Sequence, residues 1–185
     1  MVKSEPPIEV HERWIDFPGR QPVISSRELK SEFIVNAAAL KVLALIKDES
    51  KIKSWQDHVK NYKLYFNPDT TVWEEYSCHD IPWPLSDQDS FVQYRLVETI
   101  PGREYFISFL SRVDPKTAPV IESTNRLELT GSWKLEVISA EVTKVTYRVQ
   151  SIPTTNIPRM ILDPVIRTNL VSSMKSLTKL LENKN

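Results

Sequence analysis

Arg126-Leu127-Glu128-Leu129-Thr130-Gly131-Ser132-Trp133-Lys134-Leu135-Glu136-Val137-Ile138 alternates apolar and polar side chains almost without interruption. Successive side chains of an extended chain point to opposite faces. Leu127, Leu129, Gly131, Trp133, Leu135 and Val137 therefore share one face, and Arg126, Glu128, Thr130, Ser132, Lys134 and Glu136 share the other. That is the signature of an antiparallel strand with one dry and one wet side. Gly131 breaks the apolar row, which predicts a bend or bulge in a curved sheet.

The same period continues on both sides. Residues 142–150 set Val145, Tyr147 and Val149 opposite Lys144, Thr146, Arg148 and Gln150. Upstream, strands are predicted over 91–98 and 104–113, bounded by Pro101-Gly102 and by Asp114-Pro115 through Pro119. A hairpin precedes them: Tyr62, Leu64 and Phe66 alternate after Val59, Asn67-Pro68-Asp69 turns the chain, and 71–78 resumes it. Another hairpin, 8–15 with 23–35, opens the chain around Pro18-Gly19 and Pro22. Between the hairpins, Asn36 stands in an N-cap position before strong helix formers at 37–47, with Ala39, Leu40, Leu43 and Ile46 on one face. A shorter helical segment over 48–57 carries Ile52 and Trp55 toward the core. After the last strand, Ile166, Leu170, Met174, Leu177 and Leu181 recur at four, four, three and four within 158–181, the stripe of a long amphipathic helix. Pro164 either kinks that helix or marks its start.

This order predicts an α+β fold with helices on one face of an antiparallel sheet. Long sheets twist and curl, and a helix is about 10 Å across. One laid over the concave face can leave an apolar space beneath it.

Composition narrows the function classes. A chain of 185 residues, 41% hydrophobic and 26% charged, suits one soluble domain spanning 1–185. Lys+Arg 24 against Asp+Glu 24 cancel, and no basic run exists for nucleic acid to bind. The longest apolar stretch, 37–46, contains Lys41, whereas a membrane-spanning helix needs about 20 residues. Cys78 stands alone, so an internal disulfide and a thiolate cluster are both excluded. The first thirty residues lack the apolar core of a signal peptide, so the expectation is a cytoplasmic protein, or one whose export signal lies ahead of Met1. The three glycines are scattered, which removes Gly-rich phosphate loops.

The run Ile81-Pro82-Trp83-Pro84-Leu85-Ser86-Asp87-Gln88-Asp89-Ser90-Phe91-Val92 resembles the loop-to-strand signature of START domains, the lipid-transfer domains related to steroidogenic acute regulatory protein. Ile8-Glu9-Val10-His11-Glu12-Arg13 is similar to the family's opening strand, 36–46 to its first helical segment, and 157–181 to its closing helix, so nearly the whole chain is covered. The Pro-Trp-Pro-Leu-Ser-Asp run is the specific part; the other pieces are generic taken singly. Gln88 departs from the Arg that family members usually carry there, which removes the loop salt bridge of that Arg, while Asp87 and Asp89 are kept. The resemblance implies the helix-grip fold of the wider SRPBCC superfamily: a curved sheet around the C-terminal helix, enclosing a hydrophobic cavity. It implies binding of a lipid, sterol or similar molecule for transfer or sensing, by a monomer with no cofactor or metal and at most transient membrane contact. The alternative within the same superfamily is a polyketide cyclase or dehydratase.

Phe109, Trp133, Leu135, Tyr147, Ile166, Leu170 and Met174 are the expected cavity lining, each equally readable as filled core. At Arg95 some sterol-binding members keep an Arg inside the cavity, paired with an acid on the neighbouring strand, and Glu74 or Glu75 is the partner here; the other reading puts Arg95 on the wet face. Asp80, Asp87 and Asp89 read better as turn-capping acids than as a catalytic pair. His11, His58 and His79 show no metal-ligand spacing. Cys78 reads as a small buried hydrophobe.

Overall fold

The computed structural model describes residues 8–81, 86–152 and 159–183, with side chains of the last segment from residue 164 onward. Pro82, Trp83, Pro84 and Leu85 of the signature run lie outside these residues, as does the predicted helix start at Pro158.

Among the described residues nine strands form one sheet: β1 (Glu9–Asp16), β2 (Ser25–Val35), β3 (Val59–Phe66), β4 (Val72–His79), β5 (Gln88–Ile100), β6 (Glu104–Ser111), β7 (Asn125–Arg126), β8 (Leu129–Ser139) and β9 (Val142–Ser151). Their order is β1-β2-β9-β8-β6-β5-β4-β3, antiparallel throughout, with β7 paired parallel to β5 beside that path. Between β2 and β3 come helix α1 (Ala39–Ile46) and a 3-10 segment (Glu49–Ser54); α2 (Arg159–Glu182) ends the fold. This is the expected α+β helix-grip architecture. The α2 helix contacts β2, α1 and the 3-10 segment.

Period two sorts the sheet. Inward face Leu29, Phe33 and Val35 of β2, Trp73 of β4, Val92 and Tyr94 of β5, Ile107 and Phe109 of β6, Trp133 and Leu135 of β8, and Val145 of β9, all buried. Helix α2 lays Leu170, Met174, Leu177 and Leu181 against them, the spacing read from the sequence. Leu177 and Leu181 belong to the same buried cluster as Phe33, Val35, Val42 and Ile46, and burial of each stabilises the fold by about 1.5–3 kcal/mol.

Four local expectations are corrected. Asn36 does not cap α1: the N-cap is Ala38, without a side-chain bond, and Asn36 donates from its backbone N and Nδ2 to Glu182 Oε1 at 2.9 and 2.8 Å. Lys41 Nζ donates to the Leu181 carbonyl at 2.7 Å, so the C-terminal end of α2 is fastened to the start of α1. Leu40 is exposed and Val42 takes the inner place beside Ala39 and Ile46, because the short helix packs through the i, i+3, i+7 row. Gly131 is not a bulge; the irregularities lie at Val59/Asn61, Glu98/Ile100 and Val137/Ser139. A Cβ at Gly131 would overlap the Arg148 carbonyl oxygen and the Phe109 ring, so glycine lets the neighbouring strand and that ring approach. The single strand expected over 126–138 also divides, Asn125–Arg126 turning to pair with β5 before β8 begins.

Candidate functional site

Where the middle of α2 crosses the sheet, the interior opens into a hollow of about 250 Å³. Its floor is sheet, from β4, β5, β6, β8 and β9; its roof is Asn169, Leu170, Ser173 and Met174 of α2; Trp55, Gln56 and Asp57 close one side. The filled core around Leu177 and Leu181 closes the other end of the helix.

Phe109, Trp133, Tyr147, Leu170 and Met174 stand around this hollow. Leu135 and Ile166 do not: Leu135 is fully buried in the filled core and Ile166 packs against the same cluster. The aromatic members form a continuous run. Trp73 stacks on Tyr94 at 5.1 Å between ring centroids, Tyr94 meets Phe109 at 5.1 Å, Phe109 meets Tyr147 at 6.2 Å, Tyr147 meets Trp133 at 4.3 Å, and Trp133 meets Trp55 edge-on at 6.3 Å. Gly131 beneath Phe109 gives that ring its place.

The polar group at the hollow is Glu75. Trp73, Glu75, Ser77 and His79 alternate inward along β4, which sends Glu74 outward, where Gln93 donates to it at 3.3 Å. Arg95 is exposed opposite Val72 on the outer face. The expected Glu74–Arg95 cavity pair is therefore absent, since both residues occupy the outward phase of their strands. Glu75 is 8% exposed, and Tyr62 Oη donates to its Oε2 at 2.8 Å. Burial outweighs the stabilising influence of Tyr62 and of the neighbouring Tyr94 hydroxyl, pushing the carboxyl up to about 7. No cation is among the groups acting on it. Burial and the Glu75 charge raise Tyr62, Tyr94 and Tyr147 well above the usual phenol range, so all three remain neutral at physiological pH.

Beside Glu75, Ser77 and Ser90 share a hydrogen bond of 3.0 Å, and His79 Nδ1 faces the Asp57 carbonyl at 3.3 Å. Burial lowers the His79 pKa, which favours neutral imidazole. Asp89 is saturated: Arg126 Nε and Nη2 donate to its two oxygens at 2.8 Å each, and Arg126 also reaches the Ala118 and Pro119 carbonyls. This bidentate pair pins the segment after β6 to the start of β5. Asp87 pairs with Lys60 at 2.8 Å. Cys78 is buried on the outer phase of β4 and burial raises its thiol pKa, which makes it an inert thiol. His58 adjoins His79 at the start of the β3–β4 pairing, while His11 lies with Glu9 and Glu32 on the exposed first hairpin. Among the described residues no helix is long and apolar enough to cross a membrane.

No family model matches the chain. An uncharacterized protein of Pseudomonas aeruginosa is 27% identical over 144 residues, spanning 77% of this chain and 69% of that protein. Among solved structures, human StAR-related lipid transfer protein 5 superposes with a TM-score of 0.75 at 14% identity, over 97% of this chain and 88% of that one. A STAR-related lipid transfer protein fragment from Xanthomonas axonopodis gives 0.72 at 21% identity, over 92% and 99%. Zhui aromatase/cyclase from a Streptomyces species gives 0.62 at 13% identity, over 85% and 94%. The chain has the START, or helix-grip, fold.

Proposed function

We propose that residues 1–185 act as one START-like domain that encloses a single hydrophobic small molecule between the curved sheet and α2, shielding it from water for transfer or sensing. The observation that carries this reading is the aromatic-walled hollow under the middle of α2, on a fold shared with lipid transfer proteins. Its lining is chiefly apolar, with Glu75, Ser77 and His79 as grouped polar contacts, the composition typical of small-molecule sites.

Volume sets the scale. About 250 Å³ lies just under the roughly 300–1,000 Å³ of drug-sized sites, so the present hollow suits a compact ring or short chain. A sterol or phospholipid requires α2 to move outward. The Asn36 and Lys41 bonds hold the C-terminal end of α2, whereas its N-terminal half is tied to β1 by a half-exposed Arg167–Glu12 pair at 3.7 Å, so that half is the part that swings. The segment 114–119 is a poorer gate, since Asp114 accepts bonds from Lys116 N and Thr117 Oγ1 and Arg126 grips the Ala118 carbonyl. Each methylene buried in the hollow is worth about 0.8 kcal/mol, so binding needs no catalytic group.

Native mass spectrometry of the purified chain, followed by titration with fluorescent sterols, fatty acids and aromatic probes, tests this reading. A retained guest, or saturable binding of one probe class, supports it; a guest-free chain that binds none removes it. A second reading, a cyclase or dehydratase acting in the same hollow, is favoured by Glu75, because a carboxyl near pH 7 suits general acid–base work. Turnover of a bound probe, lost in E75Q, would mark that reading.

A further inference from the structure

Among the described residues Glu75 is a buried acid bonded by a phenol, Tyr62, and by no cation. Asp89, the other buried acid at the hollow, has both oxygens held by Arg126, whereas Glu75 accepts from Tyr62, with the Tyr94 hydroxyl beside it. A carboxylate offers about four acceptor positions, so one hydrogen bond leaves most of them open. Burying such a group without a counter-charge is unfavourable, and the described residues supply none at this position.

We propose that the hollow selects hydrophobic molecules carrying a protonated amine, with Glu75 as the counter-charge. The inference rests on the enclosure reading and adds the class of headgroup. An ammonium brings three donors and no acceptor, which complements the open acceptor positions and supplies the missing charge. The walls favour the same choice. Tyr94, Phe109, Tyr147 and Trp133 form a contiguous aromatic surface, and ring faces attract cations. This protein already uses that attraction elsewhere: Lys47 Nζ sits 4.6 Å from the centroid of Trp73. A carboxylate headgroup meets Glu75 as a like charge, and an alcohol offers it a single donor. The formal charge of zero gives the chain no general attraction for cations, so a preference for amines must come from the hollow itself.

The test is a charge series on one skeleton small enough for the hollow: naphthylmethylamine, naphthylmethanol and naphthoate, titrated by calorimetry against the full chain near neutral pH. The amine should bind about tenfold or more tighter than the alcohol, the ratio expected of a charge-assisted hydrogen bond, and naphthoate weakest. In E75Q the amine and alcohol should bind within about threefold of each other, while E98Q, which removes an exposed acid, should keep the wild-type ratio. Alcohol or naphthoate binding wild type as tightly as the amine overturns the inference and leaves the enclosure reading standing. Failure of all three to bind a chain that is folded by circular dichroism overturns both. If E75Q does not fold, the order of affinities on the wild type alone decides.

Discussion

Replacing Glu75 by Gln should stabilise the protein, and the gain should depend on pH. The folded state holds the Glu75 proton up to about pH 7 against an ordinary value of 4.5, so it binds that proton more tightly than the unfolded chain does. The stability this provides is complete below the unfolded value and is lost as pH rises through the folded one. Carried through the linkage relation, the shift amounts to about 3 kcal/mol between pH 4.5 and pH 8. Gln keeps an acceptor for Tyr62 and has no charge to bury. The difference between E75Q and wild type should therefore grow by about 3 kcal/mol across that interval. For a domain of this length it amounts to roughly 6–12 °C in Tm. The other ionisable groups are present in both proteins and cancel in the difference. Urea titrations of both at about pH 5, 6, 7 and 8 would measure it. A difference that stays constant with pH, or shrinks as pH rises, refutes the claim that Glu75 is buried without a cation.

Arg95→Leu should leave probe affinity within about twofold, since the side chain lies on the outer face and exposed substitutions are usually near neutral; a tenfold loss in calorimetry would return it to the cavity. Gly131→Val should cost about 3 kcal/mol or more in urea unfolding, because the new side chain overlaps the Arg148 backbone and displaces Phe109; a neutral change would mean that Phe109 does not lie over this glycine. Arg126→Ala should cost about 3–5 kcal/mol by the same measurement, as it leaves Asp89 buried without its partner. Asp89→Asn with Arg126→Gln should recover part of that loss, and no recovery would argue against a direct pair.

The strand positions were legible where the period of two is clear, as in β3, β8 and β9, and α2 because its apolar stripe is regular. The polar part of the site was one residue out of reach. Glu74 and Glu75 are neighbours in sequence, and only the phase of β4 separates them. That phase was available in Trp73: a large apolar side chain sends the residue two places on, Glu75, to the same face. Arg95 misled in the same way, since Tyr94 is the inward member of that pair. The fate of Leu135 against Trp133 depends on where α2 draws close to the sheet, a tertiary property that no local pattern encodes. Asn36 looked like a helix cap because its type and place were right, yet its partner Glu182 lies 146 residues away. Gly131 signalled a special backbone position, and the physical cause was a neighbouring ring instead of a bulge.

The account depends on the space beneath Asn169, Leu170, Ser173 and Met174 accepting a guest, and Ser173→Trp addresses that space directly. An indole projecting from α2 should fill most of the hollow while the filled core around Leu177 and Leu181 keeps the fold. Native mass spectrometry with naphthylmethylamine and naphthylmethanol should find the wild type carrying one probe molecule and Ser173→Trp carrying none, with the two unfolding at similar temperatures. Equal loading of both proteins would place the probe elsewhere and contradict the enclosure of a ligand between sheet and helix.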